Sequence, residues 1–472
     1  MKLDREILRL ALPSILANLT VPLVGMVDVA IAGHIAGDWG AATLIGGISV
    51  GSMLFDLLYW SFGFLRTGTG GLTAQAYGSK APSGGILRRA LRIALLSGMA
   101  LVALQWVLLK AAFLFIPCSP EVRSLAEEYF RIRIWAAPAT LSLFAFKGWF
   151  IGMQDSVRPM TADMLVNGIN ILASLVLALG IPSTSFHGLG FDGIALGTVI
   201  AQWSGFFYAT VAFGRRYRGT LRKSSAGASD TASGGFFRLN RDLFLRSVGM
   251  IAVYIGFTSL SSGLGDEMLA VSTILMKFLM IFSYFTDGFA YAGEALTGRF
   301  IGARNTAGLE STVWGVFRWS WGVALLFLVL YGVGGVPMLQ LMSSDESVVE
   351  AARPFLPWLL VMPLIGCPAF VWDGIYIGAT ASADLRNSTL LCAVGFFAVW
   401  LGGQALAGAM AGAGLPGRAA MGSGAAAMGT GATGLSPESA LHLLLGAYFV
   451  HLAIRALYLT LLRKRISSTI PH

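Results

Sequence analysis

Residues 285–302 read FTDGFAYAGEALTGRFIG, and the end of this stretch, LTGRFIG from Leu296, matches LTAQAYG from Leu72. At nearly the same offset, AFKGWFIG from Ala145 aligns with VWDGIYIG from Val371. Chance similarity between apolar helices would not keep separated blocks in the same order. The sequence therefore predicts that the chain consists of two duplicated halves.

The composition is that of a membrane protein. Hydrophobic residues make up 56% of the chain and charged residues 12%, whereas about a quarter of the residues of a soluble domain are charged. Apolar runs such as LSGMALVALQWVLLKAAFLFIP approach the ~20 residues that span a bilayer as a helix. We therefore predict an all-α integral membrane protein, with helices rather than barrel strands as the spans.

Hydropathy predicts twelve spans, six in each half. Because six is an even number, both halves begin on the same side of the membrane, which makes a 6+6 parallel repeat of two pseudosymmetric six-helix lobes. This arrangement favours transport by rocking of the lobes between two access states. The predicted windows lie near residues 10–32, 41–65, 93–116, 127–151, 161–181, 193–213, 244–264, 269–293, 313–337, 353–378, 389–411 and 440–462.

Two irregular stretches set the domain boundaries. We predict an N-terminal lobe over 1–213, a basic linker loop over 214–243 and a C-terminal lobe over 244–472. The Gly/Ala-rich segment at 402–434 is of low complexity, which is typical of a flexible extracellular loop.

The net charge of +9 is interpreted as a topology signal. Bases gather before the first window, after the last, and in alternate connections, so both termini are predicted to be cytoplasmic, in a multi-pass protein of the inner membrane. The first window lacks a convincing cleavage site and is kept as a span rather than a removable signal peptide. The basic linker contains SSAGASDTASGG, a linker composition, so nucleic-acid binding is not expected.

No metal or enzyme motif is found. The cysteines Cys118, Cys367 and Cys392 have no metal or redox spacing, and the histidines form no HExxH motif. A membrane-embedded enzyme would need a clustered nucleophile or metal set within the spans. We therefore expect neither a cofactor, nor a metal, nor an enzymatic activity.

Polar residues within the first and fifth spans are the first candidate site. Asp28 lies roughly 30 Å along its helix from the cytoplasmic side, and Pro13 removes a backbone donor and favours a bend. Proton uptake and loss at Asp28 could change its burial cost together with the helix geometry, or Asp28 is merely hydrated among the headgroups. Asn167, Asn170 and Ser174 lie within two turns, facing a polar cavity or forming interhelical hydrogen bonds.

Charged residues near the cytoplasmic ends of the spans are the second candidate site. Asp287 and Glu294 fall on one helical face, roughly 10 Å apart at about 1.5 Å rise per residue. Counting along the spans places Asp373, Arg66 and Lys147 in the same layer. These opposite charges predict an ion-pair layer, which is either a gate that closes the cytoplasmic face or a purely structural layer within one half.

Four ordered motifs resemble the multidrug and toxic compound extrusion (MATE) family, in its DinF-like branch. They are FLRTGTGGLTAQAYG from Phe64, GFDGIALGTVIAQW from Gly190, DGFAYAGEALTGRFIG from Asp287 and WDGIYIGATASADLR from Trp372. The resemblance implies twelve helices in two six-helix lobes, a V-shaped molecule, and export of organic cations or related amphipathic compounds driven by a proton or sodium gradient.

The resemblance also implies a coupling site. The first-helix proline and aspartate of DinF-like transporters match Pro13 and Asp28, which makes Asp28 the main candidate for protonation. The Asn-x-x-x-Asp pair of the family's fifth helix matches Asn170 but meets Ser174 where the second carboxylate would stand. Asp28 would then work with neutral partners, and the choice between proton and sodium stays open. Thr198 is a further candidate cavity residue.

The leading hypothesis is a secondary-active, proton-coupled multidrug or organic-cation exporter that works by alternating access. Sodium-coupled antiport in the same family and a flippase for a lipid-linked precursor are the alternatives. Such a flippase often has a strongly basic central cavity, whereas the bases here gather mostly at the inner surface. The expected partners are small amphipathic or cationic substrates and the lipid bilayer, and we expect a monomer.

Overall fold

The structure is a computed structural model that describes residues 2–35, 39–114, 116, 118–181, 186–223, 232–342, 345–413 and 435–468. Every regular element in these ranges is a helix, as predicted. Eleven helices are long and apolar enough to cross a membrane, or up to twelve when a pair bent by 68° is counted as one span. The all-α membrane fold is therefore confirmed.

The first half runs through nine helices, and α6 and α7 are joined by a 3-10 turn at Ile134–Ala136. The bent pair is α4 with α5. The bounds are α1 (Lys2–His34), α2 (Ala41–Ser61), α3 (Phe64–Gly78), α4 (Gly84–Ala103), α5 (Gln105–Ala112), α6 (Pro120–Arg133), α7 (Ala137–Gly152), α8 (Val157–Leu179) and α9 (Phe191–Lys223).

The second half repeats this order, and its 3-10 turn at Arg353–Phe355 again lies between the two helices of one span. The long α11 combines in one helix what α2 and α3 form in the first half. The bounds are α10 (Ala232–Ser262), α11 (Asp266–Gly302), α12 (Thr306–Met342), α13 (Glu346–Ala352), α14 (Leu356–Gly378), α15 (Ser382–Ala413), α16 (Pro437–Leu461) and α17 (Arg463–Ser468).

The helices extend beyond the predicted windows. The linker predicted at 214–243 is helical on both sides, because α9 continues to Lys223 and α10 begins at Ala232; bases and alanine are good helix formers. The segment predicted as a loop from residue 402 stays helical to Ala413, and its remainder lies outside the described residues. Hydropathy windows stop at charges or at Gly/Ala-rich sequence, whereas the helices do not.

Four helix endings show the duplication at atomic level. In each, a helix ends at a glycine, and the second residue after it has a positive φ between 53° and 62°. The next backbone N–H then donates back to a carbonyl of the last turn at 2.9 or 3.0 Å, a common helix-terminating motif. The left-handed residues are Lys80 and Gln154 in the first half and Arg304 and Thr380 in the second.

Glycines allow the two halves to touch at the ends of α3 and α11. A Cβ at Gly78 would overlap the carbonyl of Arg299, and a Cβ at Gly302 would overlap the carbonyl of Gln75. The contact is reciprocal, as expected for a pseudo-twofold relation between duplicated elements. Small residues permit this backbone approach between membrane helices. The duplicated motifs LTAQAYG and LTGRFIG thus also form a contact between the two halves.

Candidate functional site

A cavity of about 430 Å³ lies mainly within the second half and reaches the first half at α2 and α3. Aromatic and methionine side chains form much of its wall, among them Trp60, Tyr254 and Phe370. Three arginines and three carboxylates also line it, which is notable because charges at membrane depth are costly and mark functional sites. They are Arg66, Arg246, Arg455, Asp287, Glu294 and Asp373.

Asp373 of α14 holds two arginines. Arg246 of α10 donates to its Oδ2 at 2.5 Å, and the Nε of Arg455 of α16 donates to its Oδ1 at 2.9 Å, with a second contact from the same guanidinium. Arg455 is 1% exposed and Arg246 9%. One carboxylate therefore ties three helices of the second half together.

Glu294 pairs with Arg66 of the other half. The Nη1 of Arg66 lies 3.2 Å from Oε2 of Glu294, which is fully buried, and the guanidinium also lies 4.4 Å from the ring centre of Tyr291. The second carboxylate oxygen, Oε1, is buried without a hydrogen-bond partner. This ion pair joins α3 to α11.

Asp287 is the carboxylate of this cavity that no guanidinium holds. It accepts a hydrogen bond from the Ser283 hydroxyl at 3.2 Å. No lysine or arginine in the described part of the chain forms an ion pair with it. Its hydrogen-bond partner is thus a hydroxyl, although Arg66, Arg246 and Arg455 line the same cavity.

Lys147 does not line the cavity that holds Asp287, Glu294 and Asp373. It pairs with Asp163 within the first half, at a second cavity of about 260 Å³ that Arg66 and Tyr291 also line. The structure thus brings Arg66 to Glu294 as an inter-half pair and places Asp287 in the same cavity. Asp373 does not meet Lys147, because Arg246 and Arg455 occupy its two oxygens.

Further contacts join the halves at the same end. Glu6 pairs with Arg299 at 2.9 Å, and the first turns of α1 also hold Arg318 through Asp4. The Gln154 amide donates to the Ala295 carbonyl at 2.7 Å. The Gln75 amide likewise donates to the Gly378 carbonyl at 3.0 Å. This end of the molecule is held by an inter-half network of side chains.

The first half contains a polar cluster around Asp28. Asp28 is 6% exposed, and its carboxylate lies beside the Ser174 side chain. The carbonyl of Ile194 accepts from both Ser174 and Thr198, at 3.3 and 3.2 Å, and Thr198 in turn accepts from the Asn170 amide at 2.9 Å. Asn170 and Ser174 of α8 and Thr198 of α9 therefore form one hydrogen-bonded cluster, and Asp28 of α1 is buried beside it.

Two acceptor oxygens in this cluster are left without donors. Oδ1 of Asp28 and Oδ1 of Asn170 are both buried and make no hydrogen bond. Asn167 lies beside the cluster and donates to Thr20 of α1 at 2.6 Å. Pro13 stands inside α1, which runs as one helix from Lys2 to His34.

Sequence reasoning missed Arg246, Arg455 and Asp163. Arg455 lies inside an apolar window, and a charge at membrane depth is itself a sign of a functional residue, as it was for Asp28. Arg246 lies at the edge of its window, where a base is normally assigned to the membrane surface. For metals, the described ranges contain no group of three His, Cys, Asp or Glu side chains that could hold an ion.

Comparison with known proteins identifies the family. The MatE family model matches residues 13–176 and 243–399. The DNA damage-inducible protein F of Escherichia coli is 35% identical over 417 residues, covering 85% of this chain and 88% of the relative. A probable multidrug resistance protein NorM of Thermotoga maritima is 23% identical, covering 84% of each chain.

Solved structures agree on the fold. A crystal structure of a MATE protein in a straight conformation superposes with a TM-score of 0.80 at 16% identity, covering 99% of this chain and 97% of that one. Members of this family are transporters and not enzymes. The predictions of a DinF-like relationship and of a transporter fold are confirmed: the chain is a multi-pass membrane transporter that belongs to the MatE family of multidrug and toxin extrusion proteins.

Proposed function

We propose that this chain is a secondary-active exporter of small amphipathic or cationic solutes, which couples export to proton entry by alternating access, with Asp28 as the main protonation site. The observation that carries the proposal is the pair of buried acceptor oxygens on Asp28 and Asn170 that lack donors. A buried polar group without a partner is costly. A proton on Asp28 supplies a donor to this cluster, so protonation and the packing of α1 against α8 and α9 are linked.

Sodium coupling is the second candidate. The same cluster offers carboxylate, amide and hydroxyl oxygens from Asp28, Asn170, Ser174 and Thr198, and hard cations bind such oxygens. A flippase for a lipid-linked precursor has less support, because the larger inter-half cavity balances three arginines against three carboxylates instead of being strongly basic.

We infer that the residues at the end joined by Arg66 and Glu294 act as a gate. We assign three further residues to this gate: Asp287 lies in the cavity that the Arg66 pair lines, Asp373 holds two arginines at the same cavity, and Lys147 pairs with Asp163 at the neighbouring one. Breaking the Arg66 pair and the glycine contact would separate the lobes 1–213 and 244–472 at this end. By the positive-inside rule this end and both termini face the cytoplasm of the inner membrane, and the working unit is a monomer.

The test is dye or drug efflux in vesicles with an imposed pH or sodium gradient, comparing wild type with Asp28→Asn. Proton coupling predicts loss of pH-driven export with the fold intact. Glu127→Gln, which removes a partly exposed carboxylate paired along α6, is the matched control and should export normally. Full pH-driven activity in Asp28→Asn would end the proposal. Export driven only by sodium, and lost in the same variant, would select the second candidate.

A further inference from the structure

A third and larger cavity lies mainly on the second half, and none of the six charged residues of the cavity of about 430 Å³ lines it. It is a groove of about 1190 Å³ formed by the start of α1, the first turns of α12, the middle of α14 and the junction of α16 with α17. Small-molecule pockets are typically roughly 300–1,000 Å³. The groove is therefore large enough for an elongated ligand.

Aromatic side chains form one wall of the groove. Trp314, Phe317 and Trp321 follow one another along one side of α12, and Trp314 is 74% exposed. Phe317 packs edge-on against Trp372 at 4.9 Å, and the indole of Trp372 donates to Thr460 at 2.8 Å. Tryptophans near the ends of membrane spans lie at the level of the lipid headgroups.

Cations without partners lie at the mouth of the groove. Arg463 and Lys464 are exposed, and neither forms an ion pair with any residue in the described ranges. Two acids also line the groove. Asp4 is engaged by Arg318 and by the indole of Trp319, whereas Glu310 is exposed. Among these lining residues, the unpaired charges are thus two positive and one negative, so positive charge is in excess.

An apolar strip continues from the groove along α12. Leu325, Val329 and Val333 follow Trp321 at intervals of one helical turn, and all are more than half exposed. Such a strip faces hydrocarbon in a membrane helix. The surface therefore offers, in order, cations, indole rings and an apolar track, which is the order of chemical groups along a phospholipid.

We propose that this groove is a binding site for an anionic phospholipid, with the phosphate at Arg463 and Lys464 and an acyl chain along α12. Basic pockets between membrane helices bind anionic headgroups in this way. The site lies in the leaflet on the side of both chain termini. The groove contacts α14 next to Asp373, so a bound lipid packs against the helix whose carboxylate pairs with the two buried arginines. The proposal does not depend on the coupling ion or on the substrate.

Native mass spectrometry of the purified full chain tests the site, with phosphatidylglycerol and phosphatidylethanolamine offered as an equal mixture. Wild type is expected to retain phosphatidylglycerol preferentially. The double variant Arg463→Gln/Lys464→Gln should lose this preference by about fivefold for each cation removed, because one basic residue near an anionic surface contributes about that factor. Arg89→Gln/Arg92→Gln is the control, since it removes the same charge from the other half and should behave as wild type.

Further variants and measurements identify the molecule that occupies the groove. Trp314→Ala/Trp321→Ala should weaken binding of both lipids several-fold, whereas Lys464→Arg should retain the preference. Equal loss of preference in both charge variants would overturn the proposal, as would displacement of the lipid by millimolar glycerol phosphate, which would make the site one for a soluble anion. A dimer that phosphatidylglycerol does not dissociate would assign the groove to a second copy of the chain and overturn it as well.

Discussion

Replacing Asp373 by asparagine should be among the most damaging conservative changes in the second half. Asp373 neutralises Arg246 and Arg455, which are both buried, and the change would leave two neighbouring guanidinium groups without the carboxylate that contacts both of them. Removing one partner of a buried ion pair costs about 3–5 kcal/mol because an uncompensated charge stays in the interior. We expect a destabilisation of at least about 3 kcal/mol.

The matched control is Asp384→Asn. Asp384 also pairs with an arginine, but Arg465 is largely exposed. Exposed pairs of this kind contribute about 0–1 kcal/mol. Both variants keep side-chain volume and lose one negative charge, so a difference between them reports burial and not net charge.

Denaturant or thermal unfolding in detergent measures the difference. The double variant Asp373→Asn/Arg455→Met leaves one unpaired guanidinium where the single variant leaves two. It should therefore be more stable than Asp373→Asn, with a coupling energy of about 1 kcal/mol or more. If Asp373→Asn were as mild as Asp384→Asn, or if the two changes simply added, the carboxylate would not be the counter-charge of the buried arginines.

Two shorter predictions concern the contact between the halves. Arg66→Gln should impair export, because it leaves Glu294 buried and unpaired, and should expose a cysteine introduced at this end to thiol reagents. Arg66→Gln/Glu294→Gln should recover part of the export and of the protection; no recovery would contradict the pairing. Gly78→Ala should shift the two halves apart, since its methyl group overlaps a carbonyl, and should lower thermal stability. Gly168→Ala, which meets nothing within 4 Å, should stabilise by up to roughly 1 kcal/mol; equal effects of the two would refute the close contact.

The fold was predictable because hydropathy and an internal repeat both act over long stretches. The cluster around Asp28 was partly predictable too, since Asn170 and Ser174 are polar residues at one helical spacing. A layer of charges was predicted too, but the partners within the two cavities were not, because these pairs join residues of different helices and hydropathy windows treat a charge as the end of a span. Glu294, Arg246 and Arg455 all lie inside helices because each is neutralised there by a partner that no local pattern reveals.

The duplication also explains why only the second half contributes a carboxylate to the contact between α3 and α11. The position of Glu294 corresponds to Gly70 in the first half, and the Glu294 carboxylate occupies the space that a side chain at Gly70 would fill. Two carboxylates at these equivalent positions would repel each other across the pseudo-twofold contact. A single carboxylate facing a glycine instead pairs with Arg66 of α3 and adds an ion pair to the other contacts between the halves. The shared glycines and helix endings provide the skeleton of the contact, and the charges that the duplication does not share add an ion pair between α3 and α11.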